Sequence, residues 1–174
     1  NRWWAPTPYY IDWSEKNVKF LQTDPKARWQ GYQFYFREGF CWNLINATRS
    51  TVDLKMRYVD NSIYDVGSMR LMSIYNAAPN YYIVCILNSK IENLFAELFL
   101  NFTLNFQIND ARQLPIIIPT QEQLKEFEDL FDRAVTVQKK KFFGKITKKR
   151  ADKLLNQIQK ELDQKVLKLY GVES

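Results

Sequence analysis

Apolar residues recur at helical spacing along the last third of the chain. Leu124, Phe127, Leu130, Phe131, Ala134 and Val135 form one stripe. Ala151, Leu154, Leu155, Ile158, Leu162, Val166 and Leu169 form a second. Each stripe lines one side of a helix, and each needs an apolar partner. The connection between them is short and holds Phe142, Phe143 and Gly144. The pattern therefore predicts an antiparallel helical hairpin over residues 120–174. Thr120 with Gln123 three positions on reads as a capping box at its start, and Gly171 as its terminator.

The pattern before residue 120 is shorter in period. Residues 9–13, 40–45, 52–59, 62–66, 106–108 and 114–118 read as short strands, with turn residues between them. Residues 14–17 read as a polar stretch before a loop near Pro25, and residues 33–36 as an aromatic segment ending in a turn. Residues 81–99 carry apolar positions at helical spacing and predict one helix, with Asn80 as its cap. Asn109 or Asp110 is placed to cap a single turn. The expected class is α+β: a small mixed α/β domain over 1–119, then the helical hairpin.

Composition narrows the class. Of 174 residues, 46% are hydrophobic and 16% aromatic, enough to fold around a core. No apolar run approaches the roughly 18 residues of a membrane span, so no membrane partner is expected. The chain starts at Asn1 and has no Met before Met56, which reads as a piece of a longer protein. Cys41 and Cys85 lack a metal or disulfide spacing and read as reduced core residues of a cytoplasmic protein. Histidine is absent, which removes the Ser-His-Asp and Cys-His arrangements and every zinc site that needs His.

Charge changes the picture. The net charge is +6, yet residues 139–150 hold seven cations and no acid. These are Lys139, Lys140, Lys141, Lys145, Lys148, Lys149 and Arg150, a block suited to phosphates. No Gly-rich phosphate loop occurs. Asp53-Leu54-Lys55 and Asp163-Gln164-Lys165 have the acid-x-Lys spacing of a nuclease site but no matching acidic partner. The amino-methyltransferase signature [DNS]-P-P-[YF] is missing; Ala78-Pro79-Asn80-Tyr81 lacks its second Pro. No catalytic or metal site is therefore expected in this piece. Arg49, Arg57, Arg70 and Arg112 fall at predicted loops or strand ends, and Asn105, Gln107 and Asn109 cluster after the first helix. Arg pairs with guanine, and Asn or Gln with adenine, in the major groove, so these seven are the candidate base readers.

Five strings occur in order: Gly39-Phe40-Cys41-Trp42, Ser62-Ile63-Tyr64-Asp65-Val66-Gly67, Ile86-Leu87-Asn88-Ser89-Lys90, Phe106-Gln107-Ile108 with Leu114-Pro115-Ile116, and Glu161-Leu162-Asp163-Gln164-Lys165-Val166 with Leu169-Tyr170-Gly171. Over residues 32–172 the chain resembles the C-terminal target-recognition domain of type IIG restriction–modification methyltransferases and of the related BREX-type phage-defence methyltransferases. The resemblance implies sequence-specific recognition of double-stranded DNA. It also implies an upstream S-adenosylmethionine-dependent adenine methyltransferase domain that carries the catalysis. Two other readings compete: a helical assembly module built on the hairpin, and part of a type I specificity subunit. A fragment with nuclease activity at Asp53 is a further, weaker alternative.

Overall fold

A computed structural model describes residues 1–27, 29, 31–43, 47–48, 51–64, 68–100 and 106–172. Its centre is an antiparallel sheet in the order β4 (Arg57–Val59), β1 (Gly39–Asn43), β5 (Ser68–Leu71). Side chains alternate across β1 as the pleat requires. Phe40 and Trp42 enter the core, with Tyr58, Met69 and Leu71 packed beside them. Cys41 lies opposite Arg57 on one neighbour and opposite Arg70 on the other, so these three form a row on the other face. Trp3 widens the sheet beyond β4: its N–H donates to Met56 O, and Tyr58 N–H donates to Trp3 O, both at 2.9 Å. A second ladder joins β2 (Ala47–Thr48) to β3 (Thr51–Val52).

Helix α2 (Asn80–Leu87) packs against the core face of β1 and β4. Six of its eight residues are buried, so it is apolar nearly all round, as an internal helix must be. Asn88 and Ser89 interrupt it, and α3 (Lys90–Phe95) restarts from a Ser89 cap. A π-helical turn (Ala96–Leu100) follows. A single helical turn, α4 (Ile108–Ala111), sits beside β5.

The hairpin forms from α5 (Gln121–Phe142) and α6 (Lys148–Leu169). Its ion pairs show the antiparallel sense: Lys141–Asp152 near the turn, Arg133–Glu161 midway, Lys165–Glu126 at the open end. Gly144 (φ 68°) closes α5: Gly144 N–H donates to Lys141 O and Lys145 N–H to Lys140 O, the paired bonds of a Schellman motif. Core residues come from both sides of residue 120, from Trp3 and Trp42 to Leu130, Leu162 and Val166. The fold is thus mixed α+β with a helical C-terminal region.

Thr120 and Gln123 form the expected box: Gln123 N–H donates to Thr120 Oγ1 at 3.2 Å, and Thr120 N–H to Gln123 Oε1 at 2.8 Å. Thr120→Ala removes one of these acceptors from an exposed helix start, so a loss of about 1 kcal/mol is expected in a urea titration. An unchanged midpoint would mean that α5 is held by its packing alone.

Several local expectations are corrected. Residues 9–13 form no strand; Tyr9 and Tyr10 are over nine-tenths exposed and join no ladder among the described residues. The polar stretch at 14–17 is the start of a helix, α1 (Glu15–Thr23), capped by Ser14. Part of the aromatic segment is a 3-10 turn, Tyr32–Phe34. The strand expected over 52–59 is split, with β3 ending at Val52 and β4 starting at Arg57. Residues 62–64 are not a strand, and the rest of that stretch lies outside the described residues. The single helix over 81–99 is broken at Asn88. Asn80 is not its cap but its first residue, with its side chain bonded to Ser73 N and Glu38 Oε1. Residues 106–107 and 114–118 belong to no ladder, and Ile108 opens α4. The cap of α4 is Gln107, whose N–H donates to Asp110 Oδ2, not Asn109 or Asp110.

Candidate nucleic-acid interface

The cationic block folds into the end of the hairpin. Lys139, Lys140 and Lys141 form the last turn of α5, Lys145 lies in the connection, and Lys148, Lys149 and Arg150 open α6. Three cations at a helix C-terminus complement its dipole, so the sequence stabilises the end that it charges. Not all seven are free. Lys141 pairs with Asp152 at 3.0 Å, and Lys139 lies 5.7 Å from the centre of the Trp4 ring. Trp4 also packs on Phe142 and Phe143, which fixes the turn against the N-terminal segment. Lys140, Lys145, Lys148, Lys149 and Arg150 are exposed and form no ion pair with the described residues.

The candidate base readers divide into two groups. Gln107, Asn109 and Arg112 are all exposed, within six residues around α4. This turn is anchored by Trp42, whose Nε1–H donates to Phe106 O at 2.8 Å. Arg57 and Arg70 flank Cys41 on the sheet. Arg57 is half-buried, and its Nε–H points at Cys41 Sγ, 3.1 Å away. Asn1 lies within electrostatic range of both Arg57 and Lys141, which places Arg57 toward the basic end. Arg49 and Asn105 lie outside the described residues.

Arg70 is not at a loop or strand end. It lies inside β5, only 6% exposed, with Nη1 donating to Ser62 O at 2.8 Å and Tyr64 stacked over the guanidinium. Tyr64 in turn joins a partly exposed aromatic cluster of Tyr35, Trp13, Trp29, Tyr32 and Phe36. Burial lowers the pKa of Arg70, opposed by Cys41, Tyr64 and Asp60. The side chain therefore ties the cluster to the sheet and does not reach solvent.

The acids of the two nuclease-like strings are engaged. Asp53 accepts from Arg2 at 2.6 Å and pairs with Lys55 at 2.9 Å. Asp163 Oδ1 accepts from Lys90 N and Gln159 Nε2. Among the described residues, no three His, Cys, Asp or Glu side chains are grouped to hold a metal ion. Both cysteines are free and buried, and burial pushes the Cys85 thiol far above its ordinary pKa. No helix among the described residues is long and apolar enough to cross a membrane.

The structure adds cations that sequence reading missed. Lys153, Lys160 and Lys168 are exposed on α6 and have no ion-pair partner among the described residues. In sequence they alternate with Asp152, Glu161 and Asp163 and read as a neutral mixture. A helical wheel would have separated them. No protein-family model matches the chain, and no curated protein is significantly similar to it.

Proposed function

We propose that this chain is the duplex-DNA-reading part of a restriction–modification or phage-defence methyltransferase. One observation carries the reading: Lys140, Lys145, Lys148, Lys149 and Arg150, without an ion-pair partner among the described residues, gather at one end of the hairpin, next to a small sheet. A second polar group, Gln107, Asn109 and Arg112, is exposed on a short turn at the other edge of that sheet. Three strand spacings separate the Trp3 segment from β5, about 14 Å at 4.8 Å each. A duplex spans such a distance, with one group at a groove and the other on flanking phosphates, since the major groove is about 12 Å wide. Phosphate contacts then set position and the α4 residues supply sequence choice. The S-adenosylmethionine site and the upstream catalytic domain belong to this proposal through the sequence resemblance.

The test is the salt dependence of duplex binding. Each phosphate contact contributes about 0.9 to the slope of log K against log salt. Lys140→Gln, Lys145→Gln and Lys148→Gln combined should reduce that slope by about 2.7 on every duplex alike. Arg112→Ala should leave the slope nearly unchanged and relax sequence preference by about 1–3 kcal/mol at one base pair. A wild-type chain with no affinity for duplex DNA at low salt would overturn the reading.

A further inference from the structure

Helix α6 carries three acids and seven cations, and the structure separates the two sets. Each acid is turned toward a neighbouring element. Asp152 pairs with Lys141 and Glu161 with Arg133, both of α5, while Asp163 holds the start of α3 through Lys90. Of the cations, Lys165 alone is paired among the described residues, to Glu126 at 2.6 Å. The core-facing side is set by Ala151, Ile158, Leu162 and Val166. At 100° per residue, Lys149, Lys153 and Lys160 lie diametrically opposite, with Asn156 and Gln164 beside them. That outer line holds no acid. Lys149 to Lys160 spans about 16 Å of helix axis, the length of roughly five phosphates on one DNA strand.

The partner helix has the opposite character. Residues 121–133 of α5 carry Glu122, Glu126, Glu128, Asp129 and Asp132 against Lys125 and Arg133. The hairpin is therefore two-sided away from its turn, where the acidic first half of α5 repels a polyanion.

We propose that the outer face of α6, through Lys153 and Lys160, is a phosphate-contacting track that extends the basic end along the helix and fixes which side of the hairpin the duplex lies on. Charge complementarity selects the occupant: a straight row of unpaired ammonium groups faces a straight row of phosphates. The proposal rests on the DNA-reading function above and adds the surface and its direction.

The experiment compares four chains on one mixed-sequence duplex: wild type, the hairpin-end variant already described, Lys153→Gln/Lys160→Gln, and Lys16→Gln/Lys26→Gln as a control of equal charge loss elsewhere. Gln is a good helix former, so α6 should be retained, and circular dichroism would verify it. The α6 variant should reduce the log-log salt slope by about 1.8, and the control should leave it at the wild-type value. An α6 variant with the wild-type slope overturns the track. If the hairpin-end variant still flattens the slope in that case, DNA binding itself survives. Equal losses in the α6 variant and the control also overturn the track, since net charge alone would explain them. Absence of duplex binding by wild type overturns both readings together.

Discussion

Replacing Asn88 with Ala is expected to lower the free energy of unfolding by about 1.5–4 kcal/mol. The side chain is fully buried and grips the backbone of Met56, itself buried: Met56 N–H donates to Asn88 Oδ1 at 3.0 Å, and Asn88 Nδ2–H donates to Met56 O at 2.9 Å. The carbonyl keeps a second partner in Trp3 N–H, so its loss is one bond, about 1 kcal/mol. The Met56 N–H has no other partner among the described residues and would be left buried and unpaired, at about 1–3 kcal/mol. Better helix propensity for Ala returns at most about 0.7 kcal/mol. The residue also accepts from Gln159 of α6 through its own carbonyl, so it joins the sheet, α2 and the hairpin at one point. Equilibrium unfolding in urea measures the loss, and a change below about 1 kcal/mol would remove Asn88 from that role.

The same residue marks a limit of sequence reading. The apolar stripe runs through it without a break, from Leu87 to Ile91 and Leu94. Ser89 leaves the helical conformation and caps α3 by accepting from Glu92 N–H, and Asn88 before it is held by Met56, 32 positions away, a partner that no local pattern records. The hairpin was legible because two long stripes, a capping box and a terminal Gly all agreed, and consistent local signals are the ones that survive folding. The strands expected at residues 106–108 and 114–118 failed for a different reason. Their carbonyls are satisfied by side chains, Phe106 O by Trp42 Nε1 and Ile117 O by Tyr82 Oη, not by a neighbouring strand. Helix α1 was missed because it buries no residue and so presents no stripe to read.

The candidate site divides in the same way. The run at 139–150 was visible because its cations are contiguous. The α6 track was not, because acids adjacent in sequence point elsewhere in space. Arg70 carried the right chemistry for a base reader, but its strand places it beneath Tyr64. Sequence shows which groups exist; the pleat and the helical wheel decide which of them meet solvent.

The stability of the protein should fall by about 3 kcal/mol between pH 4.5 and 7 on account of Glu92 alone. This carboxyl is 1% exposed and lies at 2.5 Å from Tyr170 Oη, while its Oε2 has no hydrogen-bond partner among the described residues. Burial pushes its pKa up to about 7, against a smaller opposing effect of the Tyr170 hydroxyl. Tyr170 Oη also lies 2.5 Å from Pro115 O, and a carbonyl can only accept. The single phenolic proton cannot serve Glu92 and Pro115 at once, and protonation of Glu92 lets the carboxyl donate to Tyr170 Oη while Tyr170 donates to Pro115. The sign follows from proton counts. Above about 4.5 the unfolded chain releases this proton while the folded protein keeps it, so stability declines with rising pH and levels off once the folded group ionises near 7. Below 4.5 both states are protonated and the contribution is fully present. Glu92→Gln keeps a neutral donor in the same place, so it should match wild type at pH 4 and exceed it by about 3 kcal/mol at pH 8. The quantity to measure is the difference in unfolding free energy between the two proteins across that range, which cancels the other carboxylates. A difference independent of pH would mean that Glu92 is already ionised in the fold. It would also mean that the contact between the end of α6, α3 and the Pro115 segment rests on packing and not on a shared proton.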